Sequence, residues 1–275
     1  MAFSINTNKG ALFALQQLNA TNAKLESTQT QVNTGKKVAS SKDNAAVFAI
    51  AQKLRSDISG LNAAKSSLDR ALSTIDVAIA AGEAVSDLLV EMKEKAVSAK
   101  DVGLDSTSRA SLNDDFTQLR DQISSIVDNA EFNGINAVKS GGEDIVAITN
   151  DTGANTITIA AQNLSLGSSV VNISSSDTIS TSTSATTTVT KLESAITDVN
   201  SSLSKLGAGS KRLDLQKAFV GKLSDAIEVG IGNLVDADMA KTSAMLQSLQ
   251  VKQQLGLQAL GIANSAPQAI TTLFQ

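Results

Sequence analysis

The segment LRSDISGLNAAKSSLDRALSTIDVAIA (54–80) carries apolar residues at intervals of seven. Two such lines interleave, and only Lys65 interrupts them: Leu54, Leu61, Leu68 and Ile75, with Ile58, Leu72 and Ile79. On a helix these lines form one narrow apolar stripe, which packs lengthwise against another helix. The pattern predicts a helix from about residue 44 to residue 99 that needs long helical partners elsewhere in the chain.

Composition argues against catalysis. The 275 residues include no cysteine, histidine, tryptophan or tyrosine, and the net charge is −4. Without histidine the chain lacks the commonest general base and metal ligand, and without cysteine it lacks thiolate chemistry and disulfides. We therefore expect no enzyme, no cofactor and no metal. The slight negative charge also gives no reason to bind nucleic acid or an acidic membrane surface.

The first residues, MAFSINTNKGALFALQQL (1–18), lack the basic start and apolar run of a signal peptide. No segment approaches the roughly 20 apolar residues that span a bilayer. These signals predict a protein that is either cytoplasmic or exported without a cleaved signal peptide.

Further helices are predicted on both sides of the central one. One covers about 7–33, followed by a break at 34–43 in which Ser41 or Asp43 caps the next helix. Another ends near residue 128, and the last begins near residue 237. Between them an unbroken seven-residue line predicts a long helix that ends near Gly230 and Gly232: Leu192, Val199, Leu206, Leu213, Val220 and Ile227. Gly207 and Gly209 in this helix favour close approach of a neighbouring backbone.

The period changes between residues 145 and 159. Ile145, Val146 and Ile148, the turn sequence NDTGAN (150–155), and Ile157 and Ile159 alternating with threonine predict a β-hairpin. A further strand is predicted at Val170, Val171 and Ile173.

A polar stretch follows the hairpin. Of the 17 residues from Ser174 to Thr190, 13 are serine or threonine. Such a stretch buries little apolar surface and predicts an exposed loop. Attachment of sugars to hydroxyls between Thr149 and Thr190 is the alternative use of these residues.

The last segment is apolar on two opposed sides. At 100° per residue one side holds Met239, Leu246, Leu249, Leu257 and Leu260, and the other holds Val251, Leu255 and Ile262. Such a helix must be covered from two directions. The N-terminal helix can cover one side, and a second subunit is the natural cover for the other, since no third layer of elements remains in the chain. The predicted contact residues of the terminal helices are Leu12, Leu15, Leu18, Leu25, Leu246, Leu249, Val251, Leu255, Leu260 and Ile262.

Short motifs at both ends resemble bacterial flagellin, in the same order: INTN (5–8), KDNAAVFAIA (42–51), EFNGINAV (131–138), LGAGSKRL (206–213), DADMA (236–240) and ANSAPQAITTLF (263–274). The short middle is similar to that of compact flagellins from alphaproteobacteria such as Caulobacter. The resemblance implies a mainly α fold, a long coiled-coil-like helical rod formed by both chain ends and the central helices, with a small β-hairpin.

The resemblance also implies a domain organisation and a function. Residues 1–43 and 235–275 would form the paired inner-tube helices, and 44–234 the shell, with the exposed Ser/Thr loop at about 140–190. The implied function is a structural subunit that polymerises into the flagellar filament for motility, secreted through the flagellum's own channel without a cleaved signal peptide. Implied partners are further copies of the chain, an export chaperone, and the filament cap and hook-junction proteins, with no nucleic acid and no membrane.

Two other functions are considered. A hook–filament junction protein, or another secreted self-assembling coiled coil, shares helical ends but is not expected to carry both terminal signatures. A membrane-active or host-binding helix bundle would bind lipid as a monomer, which the low charge and few aromatic residues argue against.

One segment of the family bears on innate immunity. LLVEMKEKAVS (88–98) aligns with the flagellin segment that a vertebrate innate receptor recognises, and Glu91 stands where those proteins have arginine. A carboxylate cannot replace the donors of a guanidinium, so the resemblance implies weak activation of that receptor.

Overall fold

The computed structural model describes residues 7–271. Within this range the chain forms helices α1 (Lys9–Thr34), α2 (Ala45–Ala99), α3 (Ser106–Asn129), α4 (Ser182–Val235) and α5 (Met239–Thr271), with strands β1 (Ile145–Ile148) and β2 (Thr156–Ile159) between α3 and α4. The mainly α fold with one hairpin is confirmed. The start of the INTN motif (5–6) and the end of the closing motif (272–274) lie outside the described residues.

Two compact units divide the chain. The terminal unit comprises Met1–Ser56 and Ala226–Gln275, and the central unit comprises Asp57–Asp225. The division falls inside α2 and α4, whereas the sequence suggested boundaries in the loops near residues 43 and 235. The assignment of the two parts to an inner tube and a shell stays a prediction.

Antiparallel pairing of α2 and α4 builds the central unit. Lys217 on α4 lies 2.6 Å from the Asp69 carboxylate on α2, and Lys93 on α2 lies 3.0 Å from Glu193 on α4. The hydrogen bond to Asp69, together with its charge, raises the pKa of Lys217. The α2 residue of higher number, Lys93, pairs with the α4 residue of lower number, Glu193, so the two helices run in opposite directions.

The buried side of α2 matches only one of its two predicted lines. Leu61, Leu68 and Ile75 are buried, and the line continues through Leu89. The predicted companions Ile58, Leu72 and Ile79 are only half-buried. Their place is taken by a line of mostly small residues: Ala64, Ala71, Ala78, Val85, Met92 and Ala99. Alanine lets helix backbones approach closely. The prediction, which looked for large apolar residues, therefore assigned the second buried line to the isoleucines and leucine instead of to the alanines.

The long line on α4 is confirmed in the central unit, where Leu192, Val199, Leu206, Leu213 and Val220 are buried. A Cβ added to Gly209 would lie 2.9 Å from Cδ1 of Ile159, so this glycine makes room for the hairpin. Gly207 has nothing within 4 Å of the same position, so the close approach predicted there is wrong. The helix also continues past Gly230 and Gly232 to Val235.

The hairpin pairs Ile145 with Ile159 and Ile148 with Thr156 in antiparallel register, as the alternating pattern predicts. The further strand predicted at residues 170–173 is wrong: Val171 makes only an isolated bridge with Leu166. The N–H of Val171 donates to the Ser168 hydroxyl at 2.9 Å, so this backbone group is not available for pairing with another strand.

The exposed loop predicted at Ser174–Thr190 is wrong in two respects. Residues from Ser182 onward belong to α4, and Thr188 is buried. Ile179, within the non-helical part, is also fully buried. Asp177 holds this part in place, since its carboxylate accepts from Lys191 at 2.7 and 2.8 Å and its carbonyl accepts from the Arg120 guanidinium at 3.0 Å. Salt bridging and one isoleucine therefore hold in place a stretch whose composition predicted an exposed loop.

The caps predicted for α2 are also wrong. Asn44 caps the helix, because its side-chain oxygen accepts the N–H of Val47 at 3.1 Å. The Asp43 carboxylate instead accepts the N–H groups of Ser40 and Ala39 within the preceding loop. The hydrogen bond from Ser40 is the main cause that lowers the pKa of Asp43.

Candidate self-association surface of the terminal helices

Helices α1 and α5 pair antiparallel within the terminal unit. Near the start of α1 the Asn8 amide donates to the carbonyl of Ala263 at 2.7 Å. Further along, the Gln253 amide donates to the side-chain oxygen of Asn22 at 2.8 Å. At the other end Lys36 forms an isolated bridge with Asp236. The two helices therefore stay together from one end of α1 to the other.

The interface between these two helices, here called the seam, is narrow and combines leucines with small or polar residues. Its positions follow a three–four spacing on both helices: Ala11, Ala14, Leu18, Thr21, Leu25, Thr28 and Val32 on α1, and Thr242, Leu246, Leu249, Gln253, Gly256, Leu260 and Ala263 on α5. A Cβ on Gly256 would lie 3.2 Å from a methyl carbon of Leu18, so the two helices approach closely there.

The buried threonines of the seam are satisfied without the partner helix. Thr21 and Thr28 donate to the carbonyls of Gln17 and Lys24 one turn earlier, at 2.9 and 2.8 Å. Neither hydroxyl is left unpaired, so their burial avoids the cost of an unsatisfied polar group. They also add no specificity between the helices, which rests on the few leucines and the Gln253–Asn22 pair.

A clamp of backbone hydrogen bonds closes the seam where α1 ends. Gly35 adopts a left-handed conformation with φ of 69°, which ends α1 and turns the chain. The Lys37 N–H then donates to the carbonyl of Val235 at 2.8 Å, and the Ala237 N–H donates to the carbonyl of Gly35 at 2.9 Å. Asp238 caps α5, since its carboxylate accepts the N–H of Lys241 at 3.1 Å.

The predicted contact residues divide into two groups. Leu18 and Leu249 are buried in the seam, and Leu25, Leu246 and Leu260 are half-buried there. The others are exposed: Leu12, Leu15, Val251, Leu255 and Ile262. A role for the seam residues in contacts between subunits stays a prediction, although the partner helix already covers much of their surface.

One residue lies on a different side of α5 from the one predicted: Leu257 was placed beside Leu249, yet 56% of it is exposed. Met239 shares the seam's spacing, seven residues before Leu246, but as the first residue of α5 it is 42% exposed. The seam follows a seven-residue repeat, whereas the prediction rotated the helix by 100° per residue, and the two drift apart by about 20° in each heptad. Gln253 and Gly256, which the apolar pattern passed over, take the seam positions instead.

The outward face of the pair, here called the outer face, is more apolar than predicted. Besides the five exposed residues above, Phe13 is 71% exposed and Met245 52%. From Thr242 to Ser265, α5 carries a single charged residue, Lys252. Exposed apolar patches larger than a few hundred Å² mark interaction surfaces in soluble proteins. The run Gly10–Leu15, apolar in five of its six residues with no charge, was the sequence signal for Phe13.

Family models place both ends of the chain. The model for the bacterial flagellin N-terminal helical region matches residues 5–140, and that for the flagellin C-terminal helical region matches residues 189–274. The flagellin FljN of Caulobacter vibrioides is 48% identical over 272 residues, which cover 99% of this chain and 98% of the relative. The chain belongs to the bacterial flagellin family.

Other flagellins match along their whole length. FljK of Caulobacter vibrioides is 45% identical over 278 residues, and the flagellin of Brucella melitensis is 35% identical over 281 residues, each with at least 98% of both chains covered. This flagellin is therefore a structural subunit of the bacterial flagellar filament, and not an enzyme. It associates with copies of itself and is an extracellular filament component.

Two solved structures share the fold. Bacillus cereus flagellin superposes with a TM-score of 0.50 at 25% identity, covering 56% of this flagellin and 88% of that chain. A putative flagellar hook-associated protein from Vibrio parahaemolyticus superposes with a TM-score of 0.59, covering 70% and 100%, but at 12% identity. The second likeness shows the fold alone, so nothing favours the junction-protein alternative.

Within residues 7–271 no helix combines the length and the hydropathy that crossing a membrane requires.

Proposed function

We propose that the outer face of α1 and α5 makes the contact between neighbouring subunits at the centre of the filament. In this proposal the terminal helices line the inner tube and the central helices form the shell around it. The observation that carries the proposal is the exposure of Val251, Leu255 and Ile262, by 54%, 57% and 72%, on a helix whose other side already packs against α1.

The energetics support a contact of this kind. Burying one such side chain from full exposure contributes about 1.5–3 kcal/mol. Because the five residues are between 43% and 72% exposed, covering what remains offers together about 4–9 kcal/mol before the entropic costs of association. The seam inside the subunit buries few large side chains. Much of the apolar surface of the terminal helices is therefore free to stabilise the polymer rather than the monomer.

The same surface supports the proposed partners. An apolar helix of low charge aggregates in water unless it is covered, so a chaperone that binds α5 before export fits its chemistry. The cap and hook-junction proteins are proposed to meet the same outer face at the two ends of the filament. Export through the flagellar channel, without a cleaved signal peptide, is part of this proposal.

The test introduces a carboxylate on the outer face. Val251→Asp and Leu255→Asp should each block polymerisation, because burying an unpaired charge at the contact is costly, and should leave the monomer's melting temperature nearly unchanged. Polymerisation is measured by sedimentation and negative-stain microscopy after addition of a precipitating salt. Val102→Asp is the matched control, since Val102 is 85% exposed and lies in the central unit between α2 and α3. This control should still form filaments.

Two results would contradict the proposal. Normal filaments from both α5 variants would mean that the outer face is not buried in the polymer. Unfolding of the monomer by both variants would mean that the outer face is an internal core. Leu249→Asp, which changes a buried seam residue, is expected to unfold the terminal helices and serves as the reference for that result.

A further inference from the structure

Helix α2 carries an acidic stripe on its exposed side, near its C-terminal end. Glu83, Asp87, Glu91 and Glu94 are exposed there. Val90 and Val97 lie among them and are 55% and 50% exposed. The spacing of three and four residues puts these six side chains on one side of the helix, away from the buried line through Leu89. In the described residues none of the four carboxylates forms an ion pair.

Helix α4 carries a basic stripe of the same size. Lys205, Lys211, Arg212 and Lys222 are exposed. Leu215 and Phe219 lie among them and are 66% and 57% exposed. This side of α4 holds no acidic residue between Lys205 and Lys222, because Asp214 lies towards Lys217 on the neighbouring side and adds to the rise in the pKa of that lysine. In the described part of the chain these four cations are in no ion pair either.

The two stripes cannot meet within one chain. Leu203 packs over Gly82, at 2.7 Å from where a Cβ would lie, and Lys93 pairs with Glu193. The acidic stripe therefore lies beside residues of α4 that precede Lys205. With a rise of 1.5 Å per residue, the centres of the stripes are roughly 25 Å apart along the helices. Among the described residues none of these eight charged groups is in an ion pair, although the charges of Glu91 and Glu94 help to raise the pKa of neighbouring Lys95. The apolar side chains of both stripes are exposed.

We propose that the acidic stripe of one copy binds the basic stripe of the next copy in the filament. Charge complementarity selects the occupant: each stripe offers four charges of one sign around two apolar side chains. Asp87 and Glu94 are seven residues apart, as are Lys205 and Arg212. Because the two stripes differ, the contact is head to tail, and every added copy presents a free stripe for the next one. Contacts of this type propagate into open helical polymers.

This inference rests on the proposed function, since it names a second contact, in the central unit, of the polymer that the terminal helices assemble. Electrostatic attraction between the stripes should act mainly on the rate at which a copy docks onto a growing end. It should weaken with salt, because the screening length falls from about 30 Å at 0.01 M to about 8 Å at 0.15 M.

The experiment reverses each stripe in the full-length chain. One variant changes all four carboxylates of the acidic stripe to lysine, so that both of its stripes are basic. The second changes all four cations of the basic stripe to glutamate, so that both of its stripes are acidic. Lysine and glutamate are good helix formers, so the helical signal should be kept. Elongation from preformed filament seeds is followed by light scattering and sedimentation.

Each variant alone should elongate at least about tenfold more slowly than the unchanged chain, because like charges then face each other. An equimolar mixture should recover most of the rate and contain both chains in equal amounts, since alternating copies restore opposite charges at every contact. A merely structural role of these residues would not predict recovery on mixing. The control makes four equivalent changes elsewhere in the central unit and should elongate like the parent: Asp114→Lys, Asp128→Lys, Glu131→Lys and Glu143→Lys.

Any of three results would overturn the inference: parental rates from either variant alone, no recovery on mixing two helical variants, or equal slowing in the control. If one of the variants fails to fold, the unchanged chain still provides a test. Elongation of the unchanged chain should slow at least about threefold between low and moderate sodium chloride, and no slowing contradicts the inference. If the stripes fail these tests while Val251→Asp still blocks polymerisation, only the contact between the stripes is contradicted. The proposed contact of the terminal helices is then unaffected.

Discussion

Gly60 of α2 lies directly against the backbone of Asp151 in the hairpin turn. A Cβ at Gly60 would fall within 2.9 Å of both the Cα and the carbonyl carbon of Asp151. Two further hydrogen bonds hold the hairpin beside the helices: Ile148 donates to the Ser67 hydroxyl at 3.1 Å, and Gln216 donates to the carbonyl of Thr149 at 3.4 Å. The hairpin is therefore docked on α2 through a contact that only glycine permits.

We expect Gly60→Ala to lower the free energy of unfolding by about 1–3 kcal/mol, because the added methyl group meets backbone that cannot rotate away. Gly207→Ala is the matched control, since nothing lies within 4 Å of a Cβ there. It should raise the free energy of unfolding by about 0.5–1 kcal/mol, because alanine is the better helix former. Urea denaturation measures both. Stabilisation by Gly60→Ala would show that the hairpin is not held against α2.

Leu206 tests the interior of the central unit. It is 1% exposed, and Leu206→Ala should lower the free energy of unfolding by about 2–5 kcal/mol through lost burial and a residual cavity. Exposed Lys211 lies five residues further along α4, and Lys211→Ala should change the same quantity by no more than about 0.5 kcal/mol. Equal effects in denaturant titrations would mean that the seven-residue line does not face the core.

Asp105 links stability to acid pH. Hydrogen bonds from the Ser108 hydroxyl and backbone, and from the Thr107 N–H, hold the pKa of this cap residue below its ordinary value of 3.8. A carboxyl group whose pKa is lowered by folding stabilises the fold at pH values above its pKa in the unfolded chain. This stabilisation is lost as the pH falls through the pKa of the group in the folded protein. Asp105→Asn should therefore lower the melting temperature above pH 3.8, with a difference that shrinks below it.

Ser108→Ala provides the control for this cap. It removes the donor with the largest effect on the pKa of Asp105 and keeps the carboxylate. The acid loss of stability that Asp105 causes should then be smaller than in the parent and complete at a higher pH, because the folded pKa moves back towards the unfolded one. A melting-temperature difference between parent and Asp105→Asn that is constant from pH 2 to pH 7 would contradict the assigned cause.

Sugar attachment is tested by mass. Several hydroxyls between Thr149 and Thr190 are exposed, among them Ser175, Ser176, Thr183 and Thr187. If they carry sugars, the mass of protein from its native filament should exceed the 28.3 kDa of the chain, and the excess should map to this range. An intact mass equal to that of the chain would exclude the modification.

The sequence predicted those features that depend on large apolar side chains at regular spacing. Leu61, Leu68 and Ile75 on α2, the line through Leu206 on α4, and the isoleucines of the hairpin all lie where their periodicity puts them. The motifs at both ends were equally informative, because each has its own sequence and they occur in the family's order. These signals were enough to predict the helical architecture and the flagellin family.

Features that depend on small or polar residues were missed. Ala64 and Ala71 belong to one of the two buried lines of α2, yet alanine is common on every side of a helix and gives no periodic signal. Thr188 is buried in a run of hydroxyl residues that composition alone assigns to a loop. On α5, Gly256 lies in the seam and Leu257 is exposed, so assigning the seam by the more apolar of the two side chains gave the wrong position. In each case close packing, rather than hydropathy, decides the position.

The antiparallel pairing of α1 with α5 also sets an order of events during synthesis. The amide of Asn8 and the carbonyl of Ala263, which it contacts, are 255 residues apart in the chain. Closing a flexible loop of that length costs about 5 kcal/mol, unless the central unit has already folded and brought the two ends near each other. While the chain leaves the ribosome, α1 emerges early and α5 late, so α1 must wait without its partner for almost the whole of translation. A nascent chain therefore lacks the paired helices on which the proposed contact depends, and incomplete chains are poor building blocks for a filament.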